Sequence, residues 1–127
     1  MTKKIFIVED ELDFLSTLRE RLEFEGFVVA AAVDGEEALR KIPEEKPDLI
    51  LLDIMLPEMN GYQVCRELKS NPETKTIPVV VVTAKSQESD KFWAKETGAD
   101  DYLTKPFEME ELLQKIQDNL QEDKKTA

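Results

Sequence analysis

Short apolar runs alternate along the chain with longer amphipathic segments. Five such runs are present, at Ile5–Val8, Phe27–Ala31, Leu49–Leu52, Val79–Val82 and Tyr102–Leu103. The third and fourth runs are apolar throughout, which is typical of strands covered on both faces of a parallel sheet. The pattern predicts five strands.

The segments between these runs repeat apolar residues every three or four positions, as one face of a helix does. Two sets show the spacing: Leu15, Leu18 and Leu22, and Met109, Leu112, Leu113, Ile116 and Leu120. Asp34 is placed to cap the second helix, and Gly26 and Gly98 stand where helix ends favour positive φ. We expect five helices, each following a strand.

Strict alternation of strands and helices with short connections predicts right-handed crossovers and an α/β fold. Five units are too few for a closed eight-stranded barrel. We therefore expect a doubly wound, five-stranded parallel sheet with five helices, of the flavodoxin-like type. We assign residues 1–121 to one domain and residues 122–127 to a polar C-terminal tail, with no output domain attached.

Composition limits the classes of function that the chain can have. A length of 127 residues with 41% hydrophobic content suits a single domain. The net charge of −11 opposes binding to nucleic acid or anionic membranes. With Cys65 as the one cysteine and no histidine, any metal must be held by oxygen. The first apolar run is too short for a signal peptide or a membrane span, so we expect a cytoplasmic protein.

Polar residues whose side chains could take part in catalysis or metal binding follow four of the predicted strands. They are Glu9 and Asp10 after the first, Asp53 after the third, Thr83 after the fourth and Lys105 after the fifth. In an open α/β sheet, ligands bind beyond the carboxyl ends of the strands. These five side chains should therefore meet at one edge.

Such a group of carboxylates calls for a cation. Two carboxylates about 5 Å apart repel by roughly 3 kcal/mol at an effective dielectric constant of about 20. Mg²⁺ prefers hard oxygen ligands and keeps positions for water and phosphate. Asp53 could then act as a nucleophile and form an aspartyl phosphate, while Lys105 and the Thr83 hydroxyl bind the phosphoryl oxygens.

Four motifs together resemble the response-regulator receiver domains of two-component systems. They are Val8-Glu9-Asp10-Glu11, Leu52-Asp53-Ile54-Met55-Leu56-Pro57, Thr83-Ala84 and Tyr102-Leu103-Thr104-Lys105-Pro106-Phe107. The resemblance covers almost the whole chain and is to chemotaxis-type, single-domain receivers. The stretch from Lys85 to Trp93 is similar to receivers of type IV pilus and twitching-motility systems.

The resemblance implies a role for each site residue. Asp53 would be the phosphoacceptor, and Mg²⁺ would be held by Asp53, Glu9, Asp10 and the backbone carbonyl of Met55. Thr83 and Lys105 would bind the phosphoryl group, with a cis Lys105-Pro106 bond aiming the lysine into the site. Thr83 and Tyr102 would form the switch, and Met55 and Lys85 would tune hydrolysis.

The function implied is a phosphorylation-dependent signalling switch. The protein would catalyse its own phosphorylation and dephosphorylation, with a sensor histidine kinase or phosphotransfer protein as donor. Its downstream protein target would bind the face formed by the fourth helix, fifth strand and fifth helix, where either Phe92 or Trp93 would be an exposed contact. We expect a monomer or weak dimer.

Three alternatives compete with this interpretation. A flavodoxin-like electron carrier would share the architecture, but Glu9-Asp10-Glu11 would repel a flavin phosphate. A haloacid-dehalogenase-like phosphatase needs a second Asp two residues after its nucleophile, and Met55 stands there. A phosphorylation-independent scaffold receiver would be expected to lack site residues, all of which are present.

Overall fold

The computed structural model describes residues 2–83 and 97–120. The strands are β1 (Lys4–Val8), β2 (Val28–Ala32), β3 (Leu49–Asp53), β4 (Val79–Thr83) and β5 (Asp101–Thr104). The helices are α1 (Leu12–Phe24), α2 (Gly35–Glu45), α3 (Gly61–Ser70) and α4 (Met109–Asn119). Helix α4 is thus the fifth helix predicted from the sequence.

The strands form one parallel sheet in the order β2-β1-β3-β4-β5. This order, with helices on both faces, confirms the doubly wound five-stranded fold. The fourth predicted helix, with Lys85, Phe92 and Trp93, lies outside the described residues, as does the predicted tail at 122–127. Among the described helices, none is long and apolar enough to cross a membrane.

Two apolar cores flank the sheet because alternate strand residues point to opposite faces. On one face, Phe6 and Leu52 pack with residues of α2 and α3, including the buried Cys65. On the other face, Ile7 and Leu51 pack with residues of α1 and α4. The sheet is therefore covered on both sides, as the apolar runs predicted.

Local signals in the sequence act where they were expected, with one shift. The Asp34 side chain accepts a hydrogen bond from the Glu37 N–H and caps α2, and Gly26 and Gly98 have φ of 98° and 90°. Strand β2 runs one residue later than predicted, from Val28. The reason is that the Phe27 N–H donates to the Leu22 carbonyl at 3.0 Å, so Phe27 still belongs to the end of α1.

The register of the sheet brings the ends of the central strands level. Val8 pairs with Leu52, and Asp53 pairs with Val82. The residues that follow β1 and end β3 and β4 consequently lie side by side at the carboxyl edge. This alignment brings the candidate site residues together at one edge of the sheet.

Candidate functional site

Lys105 links two carboxylates at the carboxyl edge of the sheet. Its Nζ donates to Asp53 Oδ2 at 3.0 Å and to Glu9 Oε1 at 3.4 Å. Burial alone would lower the pKa of Lys105, but the hydrogen bond and charge of Asp53 raise it above its usual value. The lysine is therefore a permanent cation facing the two acidic groups.

Glu9 lies almost wholly inside the protein. Its side chain accepts from the Glu11 N–H at 3.0 Å, and only 3% of the residue is exposed. Burial raises the pKa of Glu9 to about 7, and a hydrogen bond with Asp53 acts in the same direction. Glu9 is thus harder to ionise than an ordinary glutamate, chiefly because it is buried and to a smaller extent because Asp53 lies beside it.

Asp10 completes an acidic cluster at the same edge. One carboxylate oxygen from each of Glu9, Asp10 and Asp53 lies within 4.8 Å of the other two. Glu9 and Asp53 are buried, whereas Asp10 is exposed. Three converging hard oxygen donors, open to solvent on one side, suit a cation such as Mg²⁺ that retains some of its water.

The loop after β3 holds the second oxygen of Asp53. The Met55 N–H donates to Asp53 Oδ1 at 2.8 Å, while the Met55 residue is 66% exposed. Gly61 begins α3 directly against this strand end, and its N–H donates to the Ile54 carbonyl at 2.9 Å. A Cβ at Gly61 would lie 2.5 Å from the Asp53 carbonyl oxygen, so only glycine permits this approach.

Thr83 and Tyr102 lie on neighbouring strands. Thr83 ends β4 and is buried, and its carbonyl accepts from the Lys105 N–H at 2.7 Å. Tyr102 pairs with Val81 in β5 and is half-buried, and the Lys115 Nζ lies 5.6 Å from its ring centroid. The Lys105-Pro106 peptide bond is cis, as expected from the sequence.

Two aromatic residues beside the site were assigned no role from the sequence, and one of them, Phe107, was named only as the end of a motif. Phe14, in the first turn of α1, places its ring 4.5 Å from the Lys105 Nζ, and Phe107 meets that ring at a centroid distance of 6.0 Å. Their positions in the sequence already suggested that they lie near the site, since Phe14 is in the helix that starts just after Glu9 and Asp10, and Phe107 comes two residues after Lys105. The direction of the Phe14 side chain, however, depends on how α1 packs.

The chain is similar to a bacterial regulator over most of its length. It is 46% identical over 116 residues to the alkaline phosphatase synthesis transcriptional regulatory protein PhoP of Bacillus subtilis. The aligned part covers 91% of this chain and 48% of that protein, so the chain spans about half the length of this relative.

Solved structures share the fold. A CheY-like receiver domain protein from Methanospirillum hungatei has a TM-score of 0.91 and 32% identity, with 100% of both chains covered. The receiver domain of a Pseudomonas aeruginosa sensor histidine kinase, which has a magnesium ion in its active site cleft, has a TM-score of 0.87 and 29% identity. That match covers 94% of this chain and 98% of the other.

The match to a family covers almost the whole fold. Residues 5–117 match the response regulator receiver domain, from β1 into α4. The acidic cluster, the lysine and the order of the strands agree with this match. The chain belongs to the response regulator receiver domain family.

Proposed function

We propose that this protein is a phosphorylation-dependent switch in which Asp53 accepts a phosphoryl group from a histidine kinase or phosphotransfer protein. The observation that carries the proposal is the environment of the Asp53 carboxylate. Asp53 is 5% exposed. One of its carboxylate oxygens accepts a hydrogen bond from the Met55 N–H, and the other accepts one from the Lys105 Nζ. Both contacts orient the carboxylate at the edge where a ligand would arrive.

In the proposed transfer, a carboxylate oxygen of Asp53 attacks the phosphorus atom of a phosphohistidine. The new P–O bond forms as the P–N bond breaks, and the imidazole leaves with the electron pair. Lys105 and the Thr83 hydroxyl stabilise the phosphoryl oxygens. Hydrolysis reverses the modification when a water oxygen attacks phosphorus and the bond to Asp53 breaks, which releases inorganic phosphate.

We propose Mg²⁺ as the cation of the acidic cluster. Glu9, Asp10, Asp53 and the Met55 carbonyl would hold it, and the hard oxygen donors that converge in the cluster support this assignment. The similar P. aeruginosa receiver domain has a magnesium ion in its active site cleft. When bound, Mg²⁺ would supply positive charge that offsets the repulsion between the site carboxylates and an incoming phosphoryl group.

We propose that Thr83 and Tyr102 convert phosphorylation into a change of surface. Alternation along β4 puts Thr83 on the same face as Val81, which is the strand neighbour of Tyr102. A phosphoryl group adds about −1.5 to −2 charge and three acceptor oxygens, so it would draw the Thr83 hydroxyl towards it. The space vacated would let the Tyr102 ring turn inward.

The readout surface in this proposal includes β5 and α4. Tyr102 and Lys115 lie together there, so a turn of the ring would break their present contact. A downstream protein that prefers the inward ring would also favour phosphorylation, by the same free energy. Three statements stay predictions: that the fourth predicted helix contributes to this surface, that the protein is a monomer or weak dimer, and that it is cytoplasmic.

The test is phosphorylation of the purified chain by acetyl phosphate and Mg²⁺, followed by intact-mass measurement. We expect the wild type to gain the mass of one phosphoryl group and Asp53→Asn to gain none. Asp13→Asn is the matched control, because Asp13 is an exposed aspartate on α1 that is not one of the three carboxylates of the acidic cluster. A phosphoryl gain in Asp53→Asn, or full phosphorylation of the wild type in EDTA, would refute the proposal.

A further inference from the structure

The ammonium group of Lys105 has a third neighbour besides its two carboxylates. Its Nζ lies 4.5 Å from the centroid of the Phe14 ring, which comes from the first turn of α1. The proposed transfer gives Phe14 no part. Its ring nevertheless touches the cation that would bind the phosphoryl group.

Phe107 supports the orientation of the Phe14 ring. The two rings meet edge to face, with centroids 6.0 Å apart and planes at 61°. Both residues are half-buried. Phe14 follows Glu9 and Asp10 along the chain, and Phe107 follows Lys105. The Phe14 ring that contacts Lys105 therefore also packs against a second aromatic ring.

The electron-rich face of an aromatic ring attracts an ammonium group within about 6 Å. A lysine side chain is long and flexible, so a contact on a third side limits where its charge can go. Phosphorylation would change the charge on the Asp53 side of the site, whereas the attraction of the ring would stay the same. The ring is thus a constant anchor beside partners that change.

The cleft beside Phe14 contains another carboxylate that could attract Lys105 if the ring were removed. Phe14 lines an open cleft of about 530 Å³ together with Lys105, Glu11, Pro106 and Phe107. Glu11 is an exposed residue in that cleft and offers a competing carboxylate. Removal of the ring would let the ammonium group swing away from Asp53 towards Glu11.

We infer that Phe14 is a positioning residue, whose ring face holds the Lys105 ammonium group in place for phosphoryl transfer to Asp53. This inference rests on the proposed function. It makes Phe14 act through Lys105 and not by contact with the phosphoryl group. The effect should follow the electron density of the ring more than its size.

Fluorinated phenylalanines at position 14 test this distinction in the full chain. Ring fluorines withdraw electron density from the face and change the ring size little. We measure the rate of phosphorylation by acetyl phosphate with Mg²⁺, using intact mass, so that no kinase contact with α1 enters the result. The rate should fall about 2-fold with 4-fluorophenylalanine and up to about 10-fold with 3,4,5-trifluorophenylalanine.

Two controls separate the electrostatic role from packing. The same analogues at Phe24, which is 83% exposed at the far end of α1, should leave the rate unchanged. Phe14→Tyr should retain most of the wild-type rate. Phe14→Leu should lower the rate about as much as the trifluoro analogue does. In NMR spectra, the ring-current shift of the Lys105 ε-methylene protons should disappear in Phe14→Leu.

The outcomes distinguish this inference from the function on which it rests. A graded fall in rate at position 14 with intact modification of Asp53 supports the inference. Equal or faster rates across the analogues would overturn it and leave Asp53 as the acceptor. A wild type that takes no phosphoryl group would overturn the proposed function and the inference with it.

Discussion

Replacement of Glu9 by Gln should stabilise the protein above neutral pH when no divalent cation is present. Burial raises the pKa of Glu9 from its ordinary value of 4.5 to about 7. The folded protein therefore keeps a proton that the unfolded chain releases between these values. The stability contributed by this proton is complete below about 4.5 and is lost as the pH rises through about 7.

The size of the effect follows from the shift. A rise in pKa from 4.5 to about 7 disfavours the ionised form by at most about 3–4 kcal/mol. The value of about 7 already includes the attraction of Lys105, and hydration at the open edge reduces the effect to about 1–2 kcal/mol. Glu9→Gln should therefore raise the free energy of unfolding by about 1–2 kcal/mol at about pH 8 and by little at about pH 4.5.

The assay is urea unfolding in EDTA, followed by far-UV circular dichroism at both pH values. Glu37→Gln is the matched control, because the Val33 N–H, more than any other group, lowers the pKa of Glu37. Replacing the Glu37 carboxylate should therefore not raise the free energy of unfolding at high pH. Added Mg²⁺ should stabilise the wild type and narrow the gap to Glu9→Gln. An equal gain for Glu9→Gln at both pH values would refute the reasoning.

Two further predictions concern the loop that follows β3. Gly61→Ala should lower the free energy of unfolding by about 1–3 kcal/mol, because its Cβ would lie 2.5 Å from the Asp53 carbonyl oxygen; urea unfolding measures this, and a neutral result would mean that α3 can shift freely. Met55→Asn should leave stability unchanged, since Met55 is 66% exposed. It should shorten the lifetime of the phosphorylated protein several-fold by giving the hydrolytic water a hydrogen-bonding partner. Decay of the intact mass after removal of the donor measures that lifetime, and an unchanged or longer decay would contradict the role of Met55.

Most of the fold could be read from the sequence because strand burial imposes a visible pattern. Runs such as Leu49–Leu52 and Val79–Val82 are apolar on both faces, and the structure places each run in the interior of the sheet. The end of α1 was less visible. The Phe27 N–H completes the helix end by a bond to Leu22, and apolar character alone does not separate that role from a strand position.

The sequence by itself determined which chemical groups reach the carboxyl edge. The carboxyl ends of parallel strands joined by right-handed crossovers lie at the same edge of the sheet. Glu9, Asp53, Thr83 and Lys105 stand at or just after such strand ends, so they had to come together there. Residue type and order were sufficient for that conclusion. No distance between side chains was needed.

Only the tertiary structure decided how those groups interact. The rotation of α1, set by packing of Leu18 and Leu22 in the core, turns Phe14 towards Lys105. The depth of Glu9 beneath the edge decides that its pKa rises to about 7. Both results depend on helix packing and on the dielectric surroundings of a side chain, and these arise from residues far apart in the sequence.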